Sequence, residues 1–355
     1  VCSSDLKART QPVFLVRAAS CRTPKRQGSR GSALSTQCSA LILPFRLASC
    51  GLLSHASGAM RIKVLPQTLI NQIAAGEVVV RMANVVKELV ENSIDAGARH
   101  VEVLIANDAH DVEVRDDGCG MSREDAELAL QRHATSKIRS FEDLMCVQTR
   151  GFRGEAVPSI ASVSRLEMQT RERQELSGTR VQVEGGRIQR IESFGCPPGT
   201  RFIVRDLFYN TPARRKFLKS KVSEVNAILA TITRQALASP QVGFQVERDG
   251  REVLSLPPDQ PQKERFASVL GSQVKREPLM LDFGRENIHV TGVMAHPHDA
   301  RGDRRSQFFF VNGRPFVSKQ LTAALEQACR GFVMIGKFPI VCARGLTGAG
   351  RGSGT

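Results

Sequence analysis

Val85-Val86-Lys87-Glu88-Leu89-Val90-Glu91-Asn92-Ser93-Ile94-Asp95 carries two patterns at once. Apolar Val86, Leu89, Val90 and Ile94 fall on one broad helical face. Glu88, Asn92 and Asp95 recur at i, i+4 and i+7. At about 100° per residue they gather within about 60° of one another on the opposite side. Gly97 follows as a helix stop. Alone, the pattern reads as an amphipathic helix with a solvated polar side. The chain that follows changes that reading.

Residues 101–105 and 111–115 alternate apolar and polar, which predicts two strands. The second runs into Asp116-Asp117-Gly118-Cys119-Gly120-Met121. Two glycines let the backbone turn sharply and admit a flat ligand close to the main chain. Asp116 then stands at a strand end beside that opening. Ser122 is placed to cap the next helix. An ordinary strand-to-helix turn is the alternative reading. Further on, HATSK (133–137) precedes GFRGEA (151–156). Glycine-bearing loops that lead into a helix present N–H groups to phosphate oxygens. There is no G-x-x-x-x-G-K-[ST], which excludes a P-loop. No strand–G-x-G-x-x-G–helix unit appears either, which argues against a dinucleotide fold.

Taken in this order, with Gly199-Thr200 on a later strand, these elements resemble the ATP-binding motifs of the GHKL superfamily. Within that group, which includes gyrase B, the ninety-kilodalton heat-shock chaperone and histidine kinases, the chain is most similar to the MutL family of mismatch repair ATPases. The segments that carry the resemblance are NQIAAGEVV (71–79), VVKELVENSIDAG (85–97), HATSK, GFRGEA, DLFYNTPARRKFL (206–218) and FVNGR (310–314). They span about residues 60–340.

The resemblance implies a fold, cofactors and roles. The fold class is α+β: a Bergerat-type α/β sandwich with a mixed, largely antiparallel sheet and helices on one side. A smaller ribosomal-protein-like α/β domain follows, incomplete here. The cofactors are ATP and Mg²⁺. Glu88 matches the general base and Asn92 the Mg²⁺ ligand, an amide oxygen that suits a hard cation. Asp116 matches the carboxylate that accepts from the adenine amino group, with Thr200 supporting it and Gly118 and Gly120 giving the base room. Thr135, Lys137, Arg153 and Gly154 lie in loops that would close over the triphosphate. Asp95 supports the pocket. The implied activity is ATP-driven association of N-terminal regions, which coordinates mismatch recognition with later strand removal. Its partners are DNA, a mismatch-sensing MutS-type protein and a second copy of the full-length protein, in a bacterial, nucleoid-associated cytoplasmic setting without a membrane.

Basic residues Arg214, Arg215 and Lys216, near Lys219, and Arg314 are candidate DNA contacts. Arg301, Arg304 and Arg305 form a further basic cluster; solvated surface is the alternative for each. Three departures from the family pattern stand out. Val80 and Met82 interrupt its E-V-V-E-R-P. Asp117 replaces the Asn of D-N-G, and tolerance is expected. No N-V-H-P-x-K stretch supplies the second-domain lysine that reaches the γ-phosphate, and Lys337 is not its equivalent. Impaired turnover is the expectation. The rival readings are a non-catalytic nucleotide- and DNA-binding fragment, or another GHKL ATPase such as a topoisomerase subunit or kinase.

The chain has 355 residues, with Lys+Arg 50 against Asp+Glu 35 and a formal charge of +15, which suits a polyanionic partner. Lys7, Arg9, Arg17, Arg22, Lys25, Arg26, Arg30 and Arg46 crowd the first 59 residues against the single acid Asp5. That segment lacks helical or strand periodicity, and Met60 is the first methionine. A native start at Met60 is expected, with 1–59 a non-native or disordered extension; a transit peptide or a basic arm are the rivals. The expected domains are 60–260 for the ATPase and 261–342 for a truncated second domain. An unstructured or out-of-frame Gly-rich tail is expected over 343–355. The 9 cysteines include no C-x-x-C pair, which favours reduced thiols over a disulfide framework or zinc site. No run of about 18 apolar residues exists, which excludes a spanning helix.

Overall fold

The computed structural model describes residues 63–137, 149–151, 154–285 and 288–347. The expected extension 1–59 and Arg153 lie outside them. The described chain opens with helices α1 (Gln67–Val78) and α2 (Met82–Asp95). α2 forms where its apolar stripe predicts. It begins three residues before the quoted stretch, where Asn84 Oδ1 accepts the Arg81 N–H at 3.1 Å. Val85, Val86, Leu89 and Val90 are buried, each worth about 1.5–3 kcal/mol. Gly97, at φ +75°, ends the helix as the sequence predicts.

Strands β1 (His100–Ala106) and β2 (Asp111–Asp116) pair antiparallel, with Val101 opposite Asp116. Helix α3 (Arg123–Leu128) is capped by Ser122 Oγ, which accepts the Asp125 N–H at 3.1 Å. Helix α4 (Ala156–Val163) leads into β3 (Arg165–Arg171), β4 (Gly178–Glu184), β5 (Arg187–Phe194) and β6 (Gly199–Arg205). Short α5 (Pro212–Arg215), long α6 (Lys221–Ala238), β7 (Gly243–Arg248) and β8 (Arg251–Leu256) complete the first lobe. Among the described residues its sheet has eight strands in the order β5-β4-β3-β6-β2-β1-β7-β8. Only β1 and β7 run parallel; every other neighbour is antiparallel.

Burial separates the two faces of this sheet. Val101, Val103, Ile105, Val112 and Val114 join α2 in one core, the period-2 alternation of a half-covered strand. The other face is laced with ion pairs. Glu113 takes two bonds from Arg201 at 2.6 and 2.8 Å, and Glu167 two from Arg180 at 2.9 and 3.0 Å. Bidentate pairs of this kind hold strand register as well as charge. The mixed sheet with a helical layer is the α+β class read from the sequence.

The second lobe contains α7 (Gln262–Leu270), β9 (Leu279–Arg285), β10 (Ile288–Met294), β11 (Gln307–Val311), β12 (Arg314–Phe316), α8 (Lys319–Cys329) and β13 (Val341–Thr347). Its sheet order is β12-β11-β13-β10-β9. Here the structure corrects one expectation: residues 343–347 belong to β13, not to an unstructured tail. β13 is a central strand, antiparallel to β10 and parallel to β11. Its backbone is paired on both sides, an effect that a glycine-rich composition does not reveal.

Helix α6 serves both lobes. Val225, Ile228, Ile232 and Ala236 sit in the first core. Leu237 sits in the second with Phe266, Leu270, Val293, Phe308 and Phe310. Nearby, Arg265 is fully buried and donates to the carbonyls of Pro240, Val242 and Pro257 at 2.7, 2.8 and 2.7 Å. Burial, with Arg344 close by, lowers its pKa to about 10.

Candidate functional site

The polar stripe of α2 ends at a gathered charge. The Lys137 ammonium donates to Asn92 Oδ1 at 2.9 Å and to Asp95 Oδ2 at 2.6 Å. Asp95 also accepts the Arg150 N–H on Oδ1 at 2.9 Å and the Gly151 N–H on Oδ2 at 3.1 Å. The carboxylate therefore fastens the loop that opens GFRGEA. Two hard oxygens converging on one cation fit Mg²⁺, whose remaining ligands would be phosphate and water. Asn92 is a residue that could hold it, with Asp95 committed to the loop.

One turn back, Glu88 is partly exposed and pairs with Lys87 at 2.8 Å. The same ammonium reaches Glu91 at 2.9 Å. Burial would lower the Lys87 pKa, but the two carboxylates outweigh it and hold the pKa above the ordinary lysine value. Glu88 is thus held beside a cation on the face that carries Asn92.

At the other end of the site, Asp116 leaves β2 and is largely buried. Its Oδ2 accepts from Ser93 Oγ at 2.7 Å, and its Oδ1 accepts the N–H groups of Gly118 at 3.0 Å and Thr200 at 3.3 Å. Burial pushes its carboxyl above the ordinary aspartate value, against the pull of those three bonds. Thr200 Oγ1 lies 3.0 Å from Thr170 Oγ1, which also accepts the Met121 N–H at 3.0 Å. The Gly118–Gly120 turn is thereby stitched to β3 and β6. Gly120 needs its φ of +73°; a Cβ there would lie 2.0 Å from the Arg171 carbonyl oxygen.

Asp117 turns away from this pocket. Its Oδ1 accepts the N–H groups of Arg99 at 2.7 Å and His100 at 2.9 Å, and its Oδ2 faces His100 Nδ1 at 3.0 Å. Partial burial would raise its pKa; the bonds from His100 and Arg99 prevail and hold it below the ordinary range. The HATSK segment and the loop at Gly154 also meet. Gly154 O accepts the His133 N–H at 3.2 Å, and at its φ of +62° a Cβ would lie 2.4 Å from Ala134 O. Thr135 Oγ1 accepts the Lys137 N–H at 3.2 Å.

The structure therefore brings Asn92, Asp95, Lys137 and the loop at Gly151 together. It ties Asp116, Gly118 and Thr200 to the same helix through Ser93, with Gly120 in the adjoining turn. Sequence reasoning missed Lys87, Ser93, Thr170, Arg150 and the buried Glu91–Gln235 pair. The Lys87–Glu91 pair has i,i+4 spacing and was legible; the others join distant segments.

The basic residues divide. The Arg214 guanidinium lies over α1, bonded to Ile73 O at 3.2 Å and close enough to Gly76 that a Cβ there would be 1.7 Å away. Arg215 and Lys216 are exposed. Arg314 donates to Thr149 O at 2.8 Å. Arg304 pairs with Glu326 and stacks 4.2 Å over the Phe338 ring.

Comparison with known proteins gives the class first. Residues 80–191 match the family model described as histidine kinase-, DNA gyrase B-, and HSP90-like ATPase. The first lobe is a GHKL ATPase domain. Residues 266–344 match the model described as DNA mismatch repair protein, C-terminal domain. The Aquifex aeolicus MutL ATPase domain complexed with ADP is 32% identical, with a TM-score of 0.58, and the match covers 75% of this chain and 91% of that one. The chain belongs to the MutL family of DNA mismatch repair proteins. The N-terminal domain of a DNA repair protein superposes with a TM-score of 0.68 at 26% identity, covering 80% of this chain and 89% of that one. The MutL proteins of Geotalea daltonii and Desulforudis audaxviator are each 46% identical, over 80% and 79% of this chain and 47% and 50% of their own lengths. The chain spans about half the length of these curated relatives. Among the described residues no helix is long and apolar enough to cross a membrane.

Proposed function

We propose that this chain binds MgATP along α2 and hydrolyses it as the motor step of MutL-type mismatch repair. The observation that carries this reading is the placement of two unlike groups on the last turn of one helix. On one side, Asn92 and Asp95 collect a positive charge; on the other, Ser93 anchors a buried carboxylate beside a glycine turn. A purine whose amino group donates to Asp116 would present its phosphates towards Lys137 and the N–H groups of the glycine loops. Glu88 then orients the attacking water and takes its proton, once free of Lys87. The bound metal supplies neutralisation of phosphate charge.

In the whole protein the nucleotide cycle would drive association with a second copy and coordinate a MutS-type partner with strand removal, in the bacterial cytoplasm on nucleoid DNA. Exposed Arg215, Lys216 and Arg314 are candidate contacts for a phosphate backbone, so DNA binding should weaken with salt and show little sequence preference. Calorimetry with MgATP tests the nucleotide reading: heat is expected with ATP and far less with GTP. Glu88→Ala should bind ATP normally and lose about 10²–10⁴-fold in hydrolysis. Absence of heat, or full hydrolysis by that variant, overturns the reading.

A further inference from the structure

Thr149, Arg150 and Gly151 sit where three parts of the molecule meet. From α2, Asp95 accepts the N–H groups of Arg150 and Gly151. From α6, Gln235 Oε1 and Ser239 Oγ, just beyond the helix, accept from the Arg150 guanidinium. From the β11–β12 hairpin of the second lobe, Arg314 donates to Thr149 O at 2.8 Å. Gln235 and Ser239 are 2% and 0% exposed, so this guanidinium is bonded to neutral groups inside the protein. A desolvated cation without a directly bonded carboxylate is an expensive way to hold a loop.

The Gln235 amide has two different jobs. Its Oε1 takes Arg150, and its Nε2 donates to Glu91 Oε1 at 2.7 Å. Glu91 Oε2 shares the Lys87 ammonium with Glu88. Donor and acceptor ends cannot exchange, so only one orientation of the amide satisfies both neighbours. A hydrogen bond tolerates a few tenths of an ångström, so a larger shift of Arg150 breaks the chain of contacts instead of stretching it. Lys137 holds Asp95, and Asp95 holds the backbone of Arg150. Loss of Lys137 from that carboxylate would leave Asp95 held by the N–H groups of Arg150 and Gly151, beside the Thr149 carbonyl that Arg314 uses.

We propose that Arg150 is a positioning residue that carries the state of the Asn92–Asp95 site, through the loop it anchors on Gln235, to the second lobe. This rests on the nucleotide reading above and adds a route by which the first lobe informs the second. A coupling of this kind is reciprocal and typically shifts an affinity about 5–150-fold.

Backbone hydrogen exchange on the full chain, with and without MgADP, tests it. In the parent chain, MgADP should change exchange in Gln307–Val311 and Arg314–Phe316 as well as at residues 149–151. Arg150→Met should still bind MgADP within about tenfold by calorimetry and lose most of the second-lobe response. Arg314→Met, an exposed change that spares the buried network, should lose the same response even if Arg150→Met fails to fold. The double variant should be no worse than either single one. A purely structural role would lower stability in the variants while leaving the nucleotide-dependent change intact, and that result overturns the proposal. So does a parent chain that binds MgADP without any second-lobe change. A parent chain that binds no MgADP instead removes the nucleotide reading on which the relay stands.

Discussion

Asp116 and Asn92 lie on either side of one turn of α2, and the protein treats them differently. Around Asp116 the geometry is already fixed: three donors hold a buried carboxylate, and Thr170 locks the turn next to it. Around Asn92 the space is held by the chain's own Lys137. One end is fixed by the fold's own donors; at the other, Asn92 would have to surrender a contact before it could take a cation. On the proposed nucleotide reading, recognition of the base would come before engagement of the phosphates, and the second step would be the one with room for regulation.

Three substitutions would break or sharpen that contrast. The largest effect is expected from Asp116→Ala, which removes the acceptor and leaves the N–H groups of Gly118 and Thr200 unpaired; nucleotide affinity should fall by about 10²-fold or more in calorimetry. A loss under about threefold would mean that this end is not the recognition element. Lys137→Met should weaken MgADP about tenfold and, unlike the first change, strengthen binding of Mn²⁺ alone, followed by electron paramagnetic resonance, because the ammonium no longer competes for Asn92. Unchanged Mn²⁺ binding would show that the ammonium is no obstacle. The smallest effect is Asp116→Asn without ligand. The aspartate's folded-state pKa is raised, so its stabilising contribution is present at low pH and lost as pH rises through that value. At neutral pH the charge is a burden. The amide should therefore stabilise the protein by about 1 kcal/mol in denaturant melts, a gain that fades as pH falls towards 3.8.

The parts of this molecule legible in its sequence are those that local pattern encodes. The apolar stripe placed α2, alternation placed β1 and β2, and Ser122 announced α3. Glu88, Asn92 and Asp95 shared a face by helical arithmetic. What escaped depends on partners far along the chain. The foreign-looking Asp117 was expected to be tolerated; the reason is His100, whose backbone and ring both use the carboxylate. Arg150 meets Gln235 across 85 positions, and neither residue belongs to a periodic pattern that would flag it. Residues 343–347 read as part of an unstructured or out-of-frame tail by composition and are paired with neighbours on both sides. Local codes report geometry within a few residues; buried polar wiring answers to the assembled fold.

Helix α6 of the first lobe also founds the second. Its early and middle turns are packed among Ile232, Val225 and their neighbours, while Leu237 near its end is a floor tile for Phe266 and Phe310. Neither lobe can shed its packing without pulling a turn of helix from under the other. Heating should accordingly dissolve both in a single cooperative event, and a cut between them would leave each half with an apolar edge instead of a finished surface.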